Sequence, residues 1–163
     1  MAKRYPQYDC IWFGSRPSAL IPAKIRKAVR TQLPNLQFPG FVSKEELMDA
    51  YSGSDLFFFP TLEETEGIVR LEAMAMETPV LTRYIPVYEG WLEHGRTVYK
   101  GRGQEDFARL LPDILEGRLP RLTEEAYRLV QENSITKIGN ALAGIYDSLL
   151  AEDKAESKNL QLL

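Results

Sequence analysis

The sequence predicts an α/β chain built on a doubly wound parallel sheet with a helical C-terminal region. Short apolar runs closed by Gly or Pro alternate with segments of helical periodicity, as crossover connections between parallel strands require. The first run, 8–14, lacks the polar–apolar alternation of a half-exposed strand. After residue 99 only helical patterns follow.

Tyr8-Asp9-Cys10-Ile11-Trp12-Phe13-Gly14 is the first strand, and its continuous apolar character predicts burial on both faces. From Pro22 the spacing changes: Ile25, Ala28, Val29 and Leu33 share a helical face, with Lys24, Arg26, Lys27 and Arg30 mostly opposite. Pro22 suits the first turn of that helix, and Pro34 lies beyond its end. Asn35-Leu36-Gln37-Phe38 forms a second strand, stopped by Pro39-Gly40. Ser43-Lys44-Glu45-Glu46 then matches a capping box opening a helix through Leu47, Met48, Ala50 and Tyr51.

Asp55-Leu56-Phe57-Phe58-Phe59-Pro60 is a third strand, with the three Phe rings read as packing. A helix runs from Gly67 through Met76, and Thr78-Pro79-Val80-Leu81-Thr82 is a fourth strand. Thr97-Val98-Tyr99 reads as a weaker one. Helices follow near 104–116, kinked at Pro112, then over 123–132 and 135–150, the last keeping Ile135, Ile138, Leu142, Ile145 and Leu149 on one face. Residues 1–151 thus make one domain, and 152–163 a polar tail.

Composition narrows the function. At 163 residues, 44% hydrophobic and 26% charged, the chain suits one globular domain and excludes fibrous or disordered classes. A formal charge of -3 with no basic block argues against nucleic acid. One cysteine and one histidine build neither a disulfide nor a zinc site, and the cysteine economy fits a reducing cytosol. Cys10 reads as core, and His94 as a loop residue. No apolar run approaches the ~20 residues of a membrane span. The basic 24–30 helix face reads as solvated, with attraction to anionic lipid the alternative.

Ligands of open α/β sheets sit where strand carboxyl ends lead into helix N-termini, which points to the segment from Pro60 to Ala75. Gly67 would let a ligand approach the backbone, and the N–H groups of Gly67, Ile68 and Val69 would bind an anion such as a diphosphate. Glu63, Glu64 and Glu66 would at the least offset the helix dipole. Glu72 shares a helical face with Ile68 and Ala75 rather than with Arg70. That spacing aims its carboxylate inward, at the vicinal hydroxyls of a ribose; the alternatives are an internal salt bridge or a partly exposed side chain.

The stretch Glu64-Thr65-Glu66-Gly67-Ile68-Val69-Arg70-Leu71-Glu72 resembles the E-x7-E signature of retaining nucleotide-sugar glycosyltransferases of the GT-B type, family four. Phe38-Pro39-Gly40-Phe41-Val42-Ser43 resembles that family's F-x-G-x-V segment, and Ser54-Asp55-Leu56-Phe57-Phe58-Phe59-Pro60-Thr61 its A-D-hydrophobic-P-S strand. Thr78-Pro79-Val80-Leu81-Thr82-Arg83 stands in place of G-x-P-V-V. Together with the 83–92 segment, the loop is most similar to bacterial enzymes that glucosylate diacylglycerol.

The resemblance implies a Rossmann-like, donor-nucleotide half of such an enzyme. Glu64, the catalytic candidate, would hold the donor hexose, with Thr65 and Glu66 in the same loop. Gly67, Ile68 and Val69 would meet the diphosphate, Glu72 the ribose, and Phe41, Val42 and Ser43 the base. The donor would be a nucleoside diphosphate sugar, UDP-glucose above all, and the acceptor a lipid or glycan. No D-x-D pair occurs, so neither a metal nor any other cofactor is implied.

The family's opening strand and its cations have no counterpart before Tyr8, and Met1 to Gln7 resemble the tail of the helix that follows them. The missing strand would be central. Its loss leaves the 8–14 and 55–59 strands to close the gap, to exchange with another chain in a homo-oligomer, or to expose pairing edges. The acceptor half is also lacking, which implies an inactive fragment. Full length, the enzyme would be cytoplasmic and touch the inner face of the membrane. The rival expectation is a non-catalytic nucleotide-binding or assembly module that works through a partner chain.

Overall fold

In the computed structural model the described residues are 1–14 and 22–160, with side chains through Ala151. The strands are β1 (Cys10–Phe13), β2 (Leu36–Gly40), β3 (Phe57–Phe59), β4 (Val80–Arg83) and β5 (Tyr99–Gly101). Helices α1 (Ala23–Val29), α2 (Lys44–Ser52) and α3 (Ile68–Ala75) join the first four strands, and α4 (Gln104–Leu115), α5 (Thr123–Glu132) and α6 (Ile135–Leu160) follow the fifth. Every pairing between these strands is parallel, as the predicted α/β architecture requires. The helix α6 carries on through most of the predicted polar tail; residues 161–163 lie outside the described residues.

The sheet is split. β1 pairs with β2, while β3, β4 and β5 form a separate ladder in that order. Among the described residues no strand occupies the outer edge of β1 or of β3, and those residues do not close the gap. Burial of β1 on both faces is overturned by the same fact: Ile11 is 52% and Trp12 63% exposed, because β1 has a neighbour on one side only. Cys10 is half-buried rather than core. The helix α1 buries none of its residues, and Leu33 lies beyond it in a short bridge to Leu36.

The packed core belongs to β3, β4 and β5. On one side Ala73, Met74, Val80, Tyr88, Leu92, Val98 and Ala126 close around Tyr51 from α2. On the other, Leu81 and Tyr99 meet Phe107, Leu110, Leu111 and Leu122, with Phe58 edge-on to Phe107 at 5.2 Å. Burying side chains of this size contributes ~1.5–3 kcal/mol each, so most of the stability resides here.

Residues 1–8 form hydrogen-bonded turns rather than a helix, and they join the two sheets. The buried Asn35 amide donates to the carbonyls of Ala2, Tyr5 and Tyr8 at 3.0, 3.1 and 2.8 Å. The Tyr5 hydroxyl donates to the Ala108 carbonyl, and the Tyr8 hydroxyl to Glu116 at 2.6 Å. The stripe of α6 that includes Ile135, Ile138, Leu142, Ile145 and Leu149 is exposed.

Candidate functional site

The carboxyl ends of β3, β4 and β5 are tied together by side chains. Thr82 donates to the Phe59 carbonyl at 3.0 Å. Arg83 donates to the carbonyls of Pro60 at 3.2 Å and Arg102 at 2.6 Å. The loop that leaves β3 at Pro60 therefore starts from a fixed point and enters α3 at Gly67.

Gly67 caps α3 in the left-handed region, at φ 68° and ψ 54°, where a side chain would be strained. The first bond of the helix runs from the Arg70 N–H to the Gly67 carbonyl at 3.1 Å. The N–H groups of Ile68 and Val69 thus fall in the opening turn, where an α-helix leaves its donors for a ligand. No acid lies within that first turn. Glu63, Glu64 and Glu66 precede it in the loop, Glu64 accepting from the Thr65 N–H at 3.2 Å. Thr65 and Glu66 are exposed, and Glu64 is half-buried.

The face assignment on α3 needs correction. Its buried residues are Arg70, Ala73 and Met74, whereas Ile68 is exposed and Glu72 half-buried. The packed stripe follows the 70, 73, 74 spacing rather than 68, 72, 75, because α3 lies between the β3–β4 ladder and α5. Glu72 faces Tyr51, whose phenol is pushed up to about 12 by burial and by the Glu72 carboxylate. Among the described residues Glu72 forms no salt bridge, and its partial exposure matches one of the expected alternatives to a ribose contact.

Phe41 is 83% exposed just past β2, and Val42 is half-buried. Ser43 has its polar groups engaged: its hydroxyl accepts from the Glu46 N–H at 3.1 Å, and its own N–H donates to the Glu46 carboxylate at 2.9 Å. This is the predicted capping box.

Sequence reasoning missed the cations under the loop. Arg70 is fully buried, with its guanidinium 3.5 Å from the centre of the Tyr88 ring. Its Nη2 donates to the Glu66 carbonyl. Burial lowers its pKa to about 10, against the opposing influence of Glu64. Lys100, also buried, donates to the Tyr88 carbonyl at 3.4 Å, and burial pushes its ammonium pKa down. The signal available was the basic residue at the 70, 73, 74 spacing of a helix otherwise apolar on that face. Among the described residues no three His, Cys, Asp or Glu side chains gather as metal ligands. No described helix is long and apolar enough to cross a membrane.

A parallel α/β ladder with a glycine-capped helix at its carboxyl edge defines a class of nucleotide- and phosphate-binding folds. Sequence similarity narrows it. Residues 24–137 match the family described as "Glycosyl transferases group 1", and the chain belongs to that family. It is 39% identical over 150 residues to the processive diacylglycerol alpha-glucosyltransferase of Acholeplasma laidlawii, covering 92% of this chain and 45% of that protein. To the alpha-galactosylglucosyldiacylglycerol synthase of Streptococcus pneumoniae it is 31% identical over 137 residues, covering 82% of this chain and 37% of that protein. In fold it is similar to Anabaena Alr3699/HepE, a structure solved with UDP-glucose, at TM-score 0.66 and 18% identity, over 90% of this chain and 52% of that one. The fold is thus that of GT-B glycosyltransferases, and the chain spans under half the length of these two relatives.

Proposed function

We propose that this chain is the donor-binding, C-terminal half of a retaining glucosyltransferase, one that moves glucose from UDP-glucose to a hydroxyl of a diacylglycerol-type lipid. The observation that carries the reading is the β3-to-α3 loop. It sets a left-handed Gly67 between Glu64 and Glu72 at the sheet's carboxyl edge, in a chain 39% identical to a diacylglycerol glucosyltransferase. Glu64 holds hydroxyls of the hexose, and the N–H groups of Gly67, Ile68 and Val69 take the diphosphate. Glu72 takes the ribose, exchanging its Tyr51 neighbour for sugar hydroxyls, and the backbone around Phe41, Val42 and Ser43 lies against the base. Catalysis rests on positioning and on stabilising the diphosphate as the sugar leaves. It uses no cofactor beyond the donor.

The acceptor half belongs to the remainder of the protein, so this chain alone transfers no sugar. In the full-length enzyme that remainder meets the lipid at the cytoplasmic face of the membrane. The edges of β1 and β3, unpaired among the described residues, support a partner as well: a strand from that remainder, or from a second copy of this chain, completes the sheet. A strict monomer in light scattering would exclude the second copy as its source.

Titration with UDP and UDP-glucose tests the site. A carboxylate accepts charge-assisted bonds that an amide makes less strongly. Glu72→Gln should therefore weaken both ligands by ~1–2 kcal/mol, about five- to thirtyfold. Glu64→Gln should weaken only UDP-glucose. Equal effects of the two substitutions on both ligands would refute this division of roles, and unchanged binding after both would remove the carboxylates from the site.

A further inference from the structure

We propose that Arg70 is a positioning residue for the anion-binding turn: its buried guanidinium braces the Glu66–Gly67 backbone and supplies the positive charge that a diphosphate on the Gly67, Ile68 and Val69 N–H groups would meet. The inference rests on the donor reading above, and it assigns a role to a side chain outside the two-glutamate signature.

Four observations converge on it. Arg70 has no solvent exposure, yet its Nε and Nη1 have no hydrogen-bond partner, and only Nη2 is engaged, on the Glu66 carbonyl. A Cβ placed on Gly67 would come within 2.5 to 2.9 Å of the guanidinium, so the glycine and the arginine occupy one another's space. The guanidinium is caged by aromatic rings, with Tyr88 at 3.5 Å and Phe59 and Trp91 each at 5.9 Å. Lys100 approaches the same tyrosine from its carbonyl side.

Neither cation forms a salt bridge among the described residues. The nearby Glu64 offsets only part of the burial that disfavours the Arg70 charge. Two buried cations without an ion pair are an expensive arrangement, and ring faces compensate them incompletely. An anion bound at Gly67 is what such an arrangement lacks. Because the charge is fully buried among aromatic rings, it acts on that anion with little screening. The charge-assisted bond to the Glu66 carbonyl also holds the Ile68 and Val69 donors in place before the ligand arrives.

The test uses this chain with two probes, UDP and inorganic pyrophosphate, titrated by calorimetry. Arg70→Met keeps an unbranched stem and removes the charge; Arg70→Lys keeps the charge and a donor for the Glu66 carbonyl. Arg70→Met should weaken both probes at least about tenfold, the scale of one lost charge-assisted contact. Arg70→Lys should stay within about threefold of the parent protein, a rescue that loss of packing alone would not produce. Should Arg70→Met fail to fold by circular dichroism, Arg70→Lys decides: a tenfold or greater loss overturns the proposal, and near-parent binding sustains it. Unchanged binding of both probes by folded Arg70→Met overturns this inference alone. If the parent chain binds pyrophosphate in an Arg70-dependent way but not UDP, the donor reading fails and the role of Arg70 stands. Binding of neither probe by the parent chain overturns both.

Discussion

Two parallel ladders of short strands fare very differently in this molecule. By sequence β1, Cys-Ile-Trp-Phe, is the more apolar, and β4, Val-Leu-Thr-Arg, carries a hydroxyl and a cation. Yet β4 is buried along nearly its whole length and β1 exposes its two central side chains. The difference lies in neighbours. β4 has a strand on each side and α3 against it, whereas β1 has β2 alone and an α1 that buries nothing. Hydrophobicity sets what a strand can gain from burial; topology decides whether it gains it.

The sharpest way to break this contrast is to truncate one side chain in each ladder. Leu81→Ala empties a fully buried position and should cost ~2–5 kcal/mol in urea unfolding. Ile11→Ala, at a half-exposed position, should stay within about 0.5 kcal/mol. Equal losses at the two sites would mean that β1 is as well packed as β4.

Tightness can be probed from the other direction at Gly101, where an added Cβ would come within 2.7 Å of the Phe107 ring. Overpacking of this kind costs ~1–3 kcal/mol, so Gly101→Ala should lower the unfolding midpoint visibly. A neutral outcome would show slack on the α4 side of β5.

A smaller effect is expected where the two ladders meet. The helix α2 starts at the exit of β2 and delivers Tyr51 to the core of the other ladder. Ser43→Ala removes the cap and should cost ~1 kcal/mol. The Glu46 carboxylate, held below its usual range by the Ser43 backbone and hydroxyl, adds a pH signature. Its contribution is present above the ordinary carboxylate pKa, is lost as pH falls through the lowered folded value, and should vanish in Glu46→Gln, whereas Ser43→Ala keeps the backbone donor. Retention of the acid dependence in Glu46→Gln would assign it elsewhere.

The smallest effect concerns His94. Its Nδ1 accepts the Lys100 N–H at 2.8 Å, and burial, followed by the charges of Lys100 and Arg109, lowers its pKa. The bond needs an unprotonated Nδ1. Its contribution to stability is therefore complete above the ordinary histidine pKa of about 6.5 and declines as pH falls through the lowered folded value. Thermal unfolding between pH 7.5 and 5 should show a shallower acid decline in His94→Asn than in the parent. An identical slope would locate the titrating group outside the packed ladder.

Much of the fold was legible because its signals are local. The capping box at Ser43 and Glu46 and the Gly67 turn each depend on a few adjacent residues, and the structure reproduces both; the expected stop at Pro39-Gly40 fails, because β2 runs on to Gly40 and pairs it with Phe13 across a register shift. The segment holding the candidate site was legible for the same reason, since a strand that runs through Pro60 into a glycine-opened helix is written in consecutive residues. The face of α3 was not. Ile68, Glu72 and Ala75 and the alternative Arg70, Ala73 and Met74 both satisfy helical spacing, and convention assigns an arginine to the outside. Only an aromatic cage drawn from β3 and from the 86–91 segment, distant in sequence, makes room for a buried guanidinium.

By itself, then, the sequence determined the order of strands and helices, the parallel α/β class and the loop that leads from β3 to Gly67, because propensity, capping and turn chemistry act over a handful of residues. Tertiary structure decided which ladder is buried, which face of α3 turns inward, and that Arg70 and Lys100 meet at Tyr88. Those outcomes depend on what lies across the sheet and beside each strand, and no local pattern carries that information.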